Sequence, residues 1–147
     1  MKVAAVAMVV LALVIGILPG FTDCESQGRA IKTAAGTMIP MKCHWTGRAE
    51  MALALPLLGV GALMFRARRK ETVRNLGVLG VLMGAVAILL PTALIGVCGS
   101  PDMLCNALMR PALILSGSLV MVASGAALFM SFGRDEVVAT RQGPVAA

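Results

Sequence analysis

Four cysteines, Cys24, Cys43, Cys98 and Cys105, are the residues of this 147-residue chain best equipped for chemistry. They form two pairs, with 18 residues between the first two and 6 between the second two. Around Cys43 runs the most distinctive string of the sequence, Met38-Ile39-Pro40-Met41-Lys42-Cys43-His44-Trp45-Thr46-Gly47-Arg48-Ala49-Glu50, which contains the only histidine and the only tryptophan. Thiols of this kind can close into disulfides or cycle between thiol and disulfide. Together with thioether and imidazole they also suit a soft cation such as Cu(I), so Met38, Met41, Cys43 and His44 make a candidate set for copper or for haem ligation. A plainer reading competes with that one: Trp45 anchors at a membrane interface, His44 is solvated, and Met38 and Met41 are apolar contacts.

The elements that must position these residues are membrane spans. Apolar residues make up 59% of the chain and charged residues 14%, an imbalance unlike that of water-soluble domains. No charge interrupts Val3 to Phe21, Leu76 to Val97 or Ala112 to Phe132, and each run approaches the roughly 20 residues needed to cross hydrocarbon. The fourth run, Met51 to Phe65, is shorter and needs Trp45 to Glu50 in the headgroup zone to reach that length. The first run is longer than a signal-peptide core, and Cys24 lacks the small-residue context of a cleavage or lipidation site, so it is read as a span. The predicted fold is all-α, a four-transmembrane-helix bundle with helices at about 3–21, 46–65, 76–97 and 112–132. It forms one domain over 1–133, followed by a flexible tail over 134–147.

Basic residues assign the sides. The linker between the second and third spans holds Arg66, Arg68, Arg69, Lys70 and Arg74 against the single acid Glu71, which marks it as cytoplasmic. With four spans both termini join it, and all four cysteines face the opposite, oxidising side. Structural bridges follow as the leading expectation. Of three connectivities, Cys24 with Cys43 and Cys98 with Cys105 is preferred, because each closes a loop within one hairpin. Arg48, Glu50 and Arg110 fall at the same outer edge, where Glu50 is expected to pair with one of the arginines. The basic cluster has no interleaved aromatics and lies at the membrane, so it indicates anionic lipid and not nucleic acid.

The halves of the chain echo each other. Leu18-Pro19 answers Leu90-Pro91, and Met41-x-Cys43 followed by Arg48 answers Met103-x-Cys105 followed by Arg110, as two repeated helical hairpins would. Gly80 and Gly84, and Gly117 with Met121 and Gly125, lie at one-turn spacings suited to close helix contact, within the bundle or with another subunit.

Two resemblances follow from these residues. Four spans with cysteine pairs in two external loops resemble quinone-reducing, disulfide-generating membrane enzymes of the DsbB type, although the Cys-x-x-Cys of that family is absent here. The Met-x-Cys-His segment before the second helix, with external cysteines, resembles the DUF4418 family of small four-span bacterial membrane proteins. That resemblance implies residence in the bacterial inner membrane and an accessory role, with some members beside export-type ABC transporters. The expected function is therefore a non-enzymatic membrane accessory or scaffold protein, partnered with lipid and with a membrane-protein complex or a second copy of itself. Its recognition loop would be Met41, Lys42, Cys43, His44, Trp45, Arg48 and Glu50, with Arg110 opposite. A thiol–quinone oxidoreductase and a soft-metal or haem protein are the alternatives. No nucleotide-binding loop and no ring of charges inside a span point to a pump or channel.

Overall fold

A backbone surrounded by hydrocarbon has no water to bond, so each crossing must close its hydrogen bonds within its own segment. The chain does this four times. The computed structural model describes residues 2–22, 24, 28, 31–67, 69–100 and 102–141, with side chains up to residue 132. Helix α1 (Lys2–Thr22) is followed by a small antiparallel ribbon of β1 (Ile31–Lys32) and β2 (Met38–Ile39), then α2 (Lys42–Arg66), α3 (Lys70–Leu89) and α4 (Arg110–Arg141). A π-helical turn, Leu90–Leu94, prolongs α3, and another, Cys105–Met109, opens α4. All four helices are long and apolar enough to cross a membrane. At 1.5 Å per residue, even the 21 residues of α1 cover the roughly 30 Å of a hydrocarbon core.

Each helix buries one narrow stripe and exposes large apolar side chains around the rest of its circumference. On α1 the stripe is Ala5, Met8, Ala12 and Ile15, and on α2 it is Ala54, Leu57, Val60 and Met64. Spacings of three and four residues keep each stripe on a single face. Outside it, Leu55 is 71% and Phe129 82% exposed, as expected for side chains that meet lipid. Helix α1 packs on α2 and α4, and α3 packs on α4 and α2, closing a four-sided bundle.

Several helix limits differ from those predicted. Helix α2 starts at Lys42, four residues before the expected 46, because Cys43, Thr46, Gly47 and Glu50 are all buried at i, i+3, i+4 and i+7. Packing makes this segment helical although its composition is too polar for hydrocarbon. Lys42 through Glu50, expected as a recognition loop, are thus the first turns of a helix. The linker residues from Lys70 onward likewise belong to α3, with Val73 buried beneath them. The third span stops short of 97 because Pro91 cannot donate to the helical ladder; the amides of Ile95 and Gly96 both reach back to the Leu90 carbonyl, at 3.2 and 3.0 Å. Gly96 then leaves the helix at a φ of 80°, a conformation open to glycine. At the other end, α4 continues past 132 to Arg141, so the first part of the proposed tail is helical, and residues 142–147 lie outside those described.

Small residues bring α3 and α4 together. A side chain added at Gly84 would meet Met121 Cγ at 2.8 Å and the Gly117 carbonyl at 2.9 Å, and one at Gly117 would meet the Gly84 carbonyl at 3.0 Å. One turn away, Gly80 lies against the Ser124 hydroxyl, which in turn donates to Met8 Sδ at 3.6 Å. The stripe Gly77, Gly80 and Gly84 therefore serves packing inside the bundle. Gly125, predicted to share that contact face, has open space where a side chain would start. Gly84→Ala should accordingly cost about 1–3 kcal/mol of stability, because the obstacle includes backbone. Gly125→Ala should be neutral, and unfolding in lipid micelles would separate the two. A large loss at Gly125 would show that this position packs against a second chain.

Candidate functional site

The four cysteines lie where helices end or begin. Cys24 follows the last turn of α1, Cys43 is in the first turn of α2, Cys98 lies just beyond the turn at Gly96, and Cys105 is the first residue of the π-helical turn that opens α4. Their sulfurs all fall within 4.8 Å of one another. This convergence requires the C-terminal ends of α1 and α3 and the N-terminal ends of α2 and α4 at the same end of the bundle. The helices consequently alternate in direction, and the basic turn joining α2 to α3 lies at the far end.

Within the cluster, Cys24 and Cys43 are joined as a disulfide, while Cys98 and Cys105 carry free sulfurs. The first bridge was expected; the second, Cys98 to Cys105, is not formed. Its two sulfurs instead face the Cys24–Cys43 pair. Cys105 Sγ is 3.5 Å from Cys24 Sγ, and Cys98 Sγ is 3.8 Å from Cys24 Sγ and 3.6 Å from Cys43 Sγ. Cys24, Cys43 and Cys105 are buried, whereas Cys98 is partly accessible. Cys98 is therefore the one residue of the cluster that is not fully buried.

Local structure holds each partner in place. The Met41 carbonyl accepts the His44 amide at 3.0 Å at the start of α2, and Met41 Sδ lies 3.9 Å from Cys98 Sγ. One turn below Cys43, the Thr46 hydroxyl donates to the Gly96 carbonyl at 2.7 Å, tying α2 to the turn that carries Cys98. On the other side, the amides of Asn106 and Ala107 bond the Met103 carbonyl at 2.9 and 3.0 Å and wind the chain into the turn that begins at Cys105.

Other predicted site residues are dispersed. Met38 lies exposed on β2. His44 meets Trp45 edge to face at a centroid separation of 5.7 Å and is not among the ligand atoms that gather. Of the set Met38, Met41, Cys43 and His44, only Met41 and Cys43 reach the site. Lys42, Trp45, Arg48 and Arg110 are exposed around it. Trp45 is thus placed as an interfacial anchor would be.

Glu50 departs furthest from expectation. It is fully buried on the face of α2 that carries Cys43 and Thr46, and neither carboxyl oxygen has a hydrogen-bond partner among the described residues. Arg48 points outward from the next face and Arg110 is exposed, so the expected ion pair does not form. The spacing of seven residues from Cys43 to Glu50 was legible as a shared helix face; that this face turns inward was not. An unsatisfied buried carboxyl opposes folding, so Glu50→Leu should raise stability by about 1–3 kcal/mol, while Glu50→Gln should not. A loss of stability in Glu50→Leu, measured by unfolding in detergent micelles, would show that the carboxyl holds something in the native membrane.

No curated protein and no solved structure matches this chain. The family model for the domain of unknown function DUF4418 matches residues 3–130, a stretch that takes in every buried residue of α1, α2 and α3, all four cysteines and Glu50. Because that match covers most of the chain, the protein belongs to the DUF4418 family.

Proposed function

We propose that the protein is a membrane-embedded thiol–disulfide protein whose Cys24–Cys43 bond exchanges with partners outside the bilayer through Cys98. The observation that carries this reading is the presence of two free sulfurs 3.5 to 3.8 Å from a disulfide. A bridge serving only to brace a loop has no use for thiols in contact with it. Here a Cys98 thiolate attacking Cys43 Sγ would form Cys43–Cys98 and release the Cys24 thiolate. A Cys105 thiolate attacking Cys24 Sγ would form Cys24–Cys105 and release the Cys43 thiolate. Either step exchanges one sulfur–sulfur bond for another, with the proton of the attacking thiol passing to the one released. Net reduction needs an external dithiol, which leaves as a disulfide with two electrons and two protons transferred.

Orientation supports the same reading. The basic turn between α2 and α3 belongs on the cytoplasmic side, which puts the cysteine end in the compartment where disulfides persist. An accessory role beside a transporter would rest on exposed helix faces, and lipid alone accounts for their apolar character.

Acid-quenched alkylation of the protein in its native membrane should find one bridge and two free thiols, and a membrane-impermeant maleimide should label Cys98 first. Equilibration with a dithiol buffer should open the bridge reversibly, at a rate about tenfold or more lower in Cys98→Ser. A bridge that stays closed under the same buffer, or one that opens equally fast without Cys98, would overturn the proposal.

A further inference from the structure

We propose that the reduced protein binds one zinc ion through the four sulfurs of Cys24, Cys43, Cys98 and Cys105, and that the Cys24–Cys43 disulfide is the closed state of this metal site. The inference rests on the exchange reading above for its reducible bridge, but on separate geometry for the metal. Zinc bound tetrahedrally at about 2.3 Å from four thiolates sets those sulfurs about 3.8 Å apart. The three contacts to the disulfide sulfurs are 3.5, 3.6 and 3.8 Å, and no pair exceeds 4.8 Å. Little movement is needed: once the bond between Cys24 and Cys43 opens, those two sulfurs need only separate to about 3.8 Å for the four to surround one ion.

The donor set selects the ion. Four sulfurs with no carboxylate or imidazole in the group favour a thiophilic cation, and four-coordination with borderline softness fits zinc. Cys24, Cys43 and Cys105 are buried, as the ligands of a closed structural centre are. The four ligands come from the ends of all four membrane helices, so the ion would tie both hairpins together at one end of the bundle. The site also differs from the soft-metal set legible along the chain, since Met38 and His44 contribute nothing to it.

Redox state and metal are then exclusive. When an external disulfide accepts two electrons from the Cys24 and Cys43 thiolates and two protons from water, it leaves as two thiols, the Cys24–Cys43 bond forms, and the ion loses two of its four donors. Reduction by a dithiol reverses each change. The protein would thereby couple the thiol–disulfide balance outside the membrane to capture and release of zinc.

Full-length protein in nanodiscs, reduced anaerobically and freed of metal, tests this with Co2+ as probe. The expected result is one Co2+ per chain with sulfur-to-metal charge transfer and the visible bands of a tetrahedral site, displaced stoichiometrically by Zn2+. X-ray absorption of the wild-type zinc form should show four sulfur neighbours at about 2.3 Å. Oxidised protein should bind none, Cys105→Ser should lose the tetrahedral spectrum, and His44→Ala should keep it. Four titratable thiols without cobalt binding would overturn the metal site while leaving the exchange reading intact. A spectrum requiring nitrogen or fewer than four sulfurs, or metal retained with the bridge closed, would overturn it as well. If only two thiols titrate after reduction, both proposals fall together.

Discussion

Sulfur against sulfur, at one end of a four-helix bundle, is the contact that organises this molecule. Each of the four cysteines is attached to a different helix end, and their sulfurs meet within 4.8 Å. Such a meeting constrains the whole chain: the helices must alternate in direction, both outer connections must fold over the same end, and the α2–α3 turn must lie opposite. The Thr46 to Gly96 hydrogen bond and the Met41 contact with Cys98 reinforce that end from the helix side.

Below the sulfurs, stability comes from fit. Apolar side chains gain little by leaving lipid for protein, so helices in a membrane associate through close packing and a few internal polar contacts. Gly77, Gly80 and Gly84 let α3 approach α4 until backbone nearly meets backbone. Buried hydroxyls are satisfied within the bundle, Ser116 by the Leu113 carbonyl of its own helix and Ser124 by Met8 of α1. Against that pattern Glu50 stands out, since its carboxyl, the one acidic group buried among the described residues, finds no partner among them.

A disulfide next to two thiols and a tetrathiolate metal site call for nearly the same arrangement of atoms. The difference lies in two electrons and one bond. Of the four cysteines, Cys98 alone is not fully buried. The buried positions of the other three limit uncontrolled oxidation. The two proposed chemistries use the same sulfurs and therefore alternate.

Much of this was readable from residue order. Hydropathy is a local property, and uncharged runs of spanning length identify a helix whatever its neighbours, so four crossings and the all-α class follow from the chain alone. Charge asymmetry about the Arg66 to Arg74 linker likewise assigned that turn to one end. The Cys24–Cys43 bridge was within reach because both residues flank one loop. By contrast, the start of α2 at Lys42, the burial of Glu50 and the meeting of all four cysteines depend on which helix faces turn inward. Those choices arise from contacts between residues far apart along the chain, as between Cys24 and Cys105, 81 positions apart, or Met8 and Ser124, 116 apart, and no local pattern records them. Composition made Met38 and His44 as eligible for the site as Met41 and Cys43; packing brought the second pair to the sulfurs and left the first pair outside.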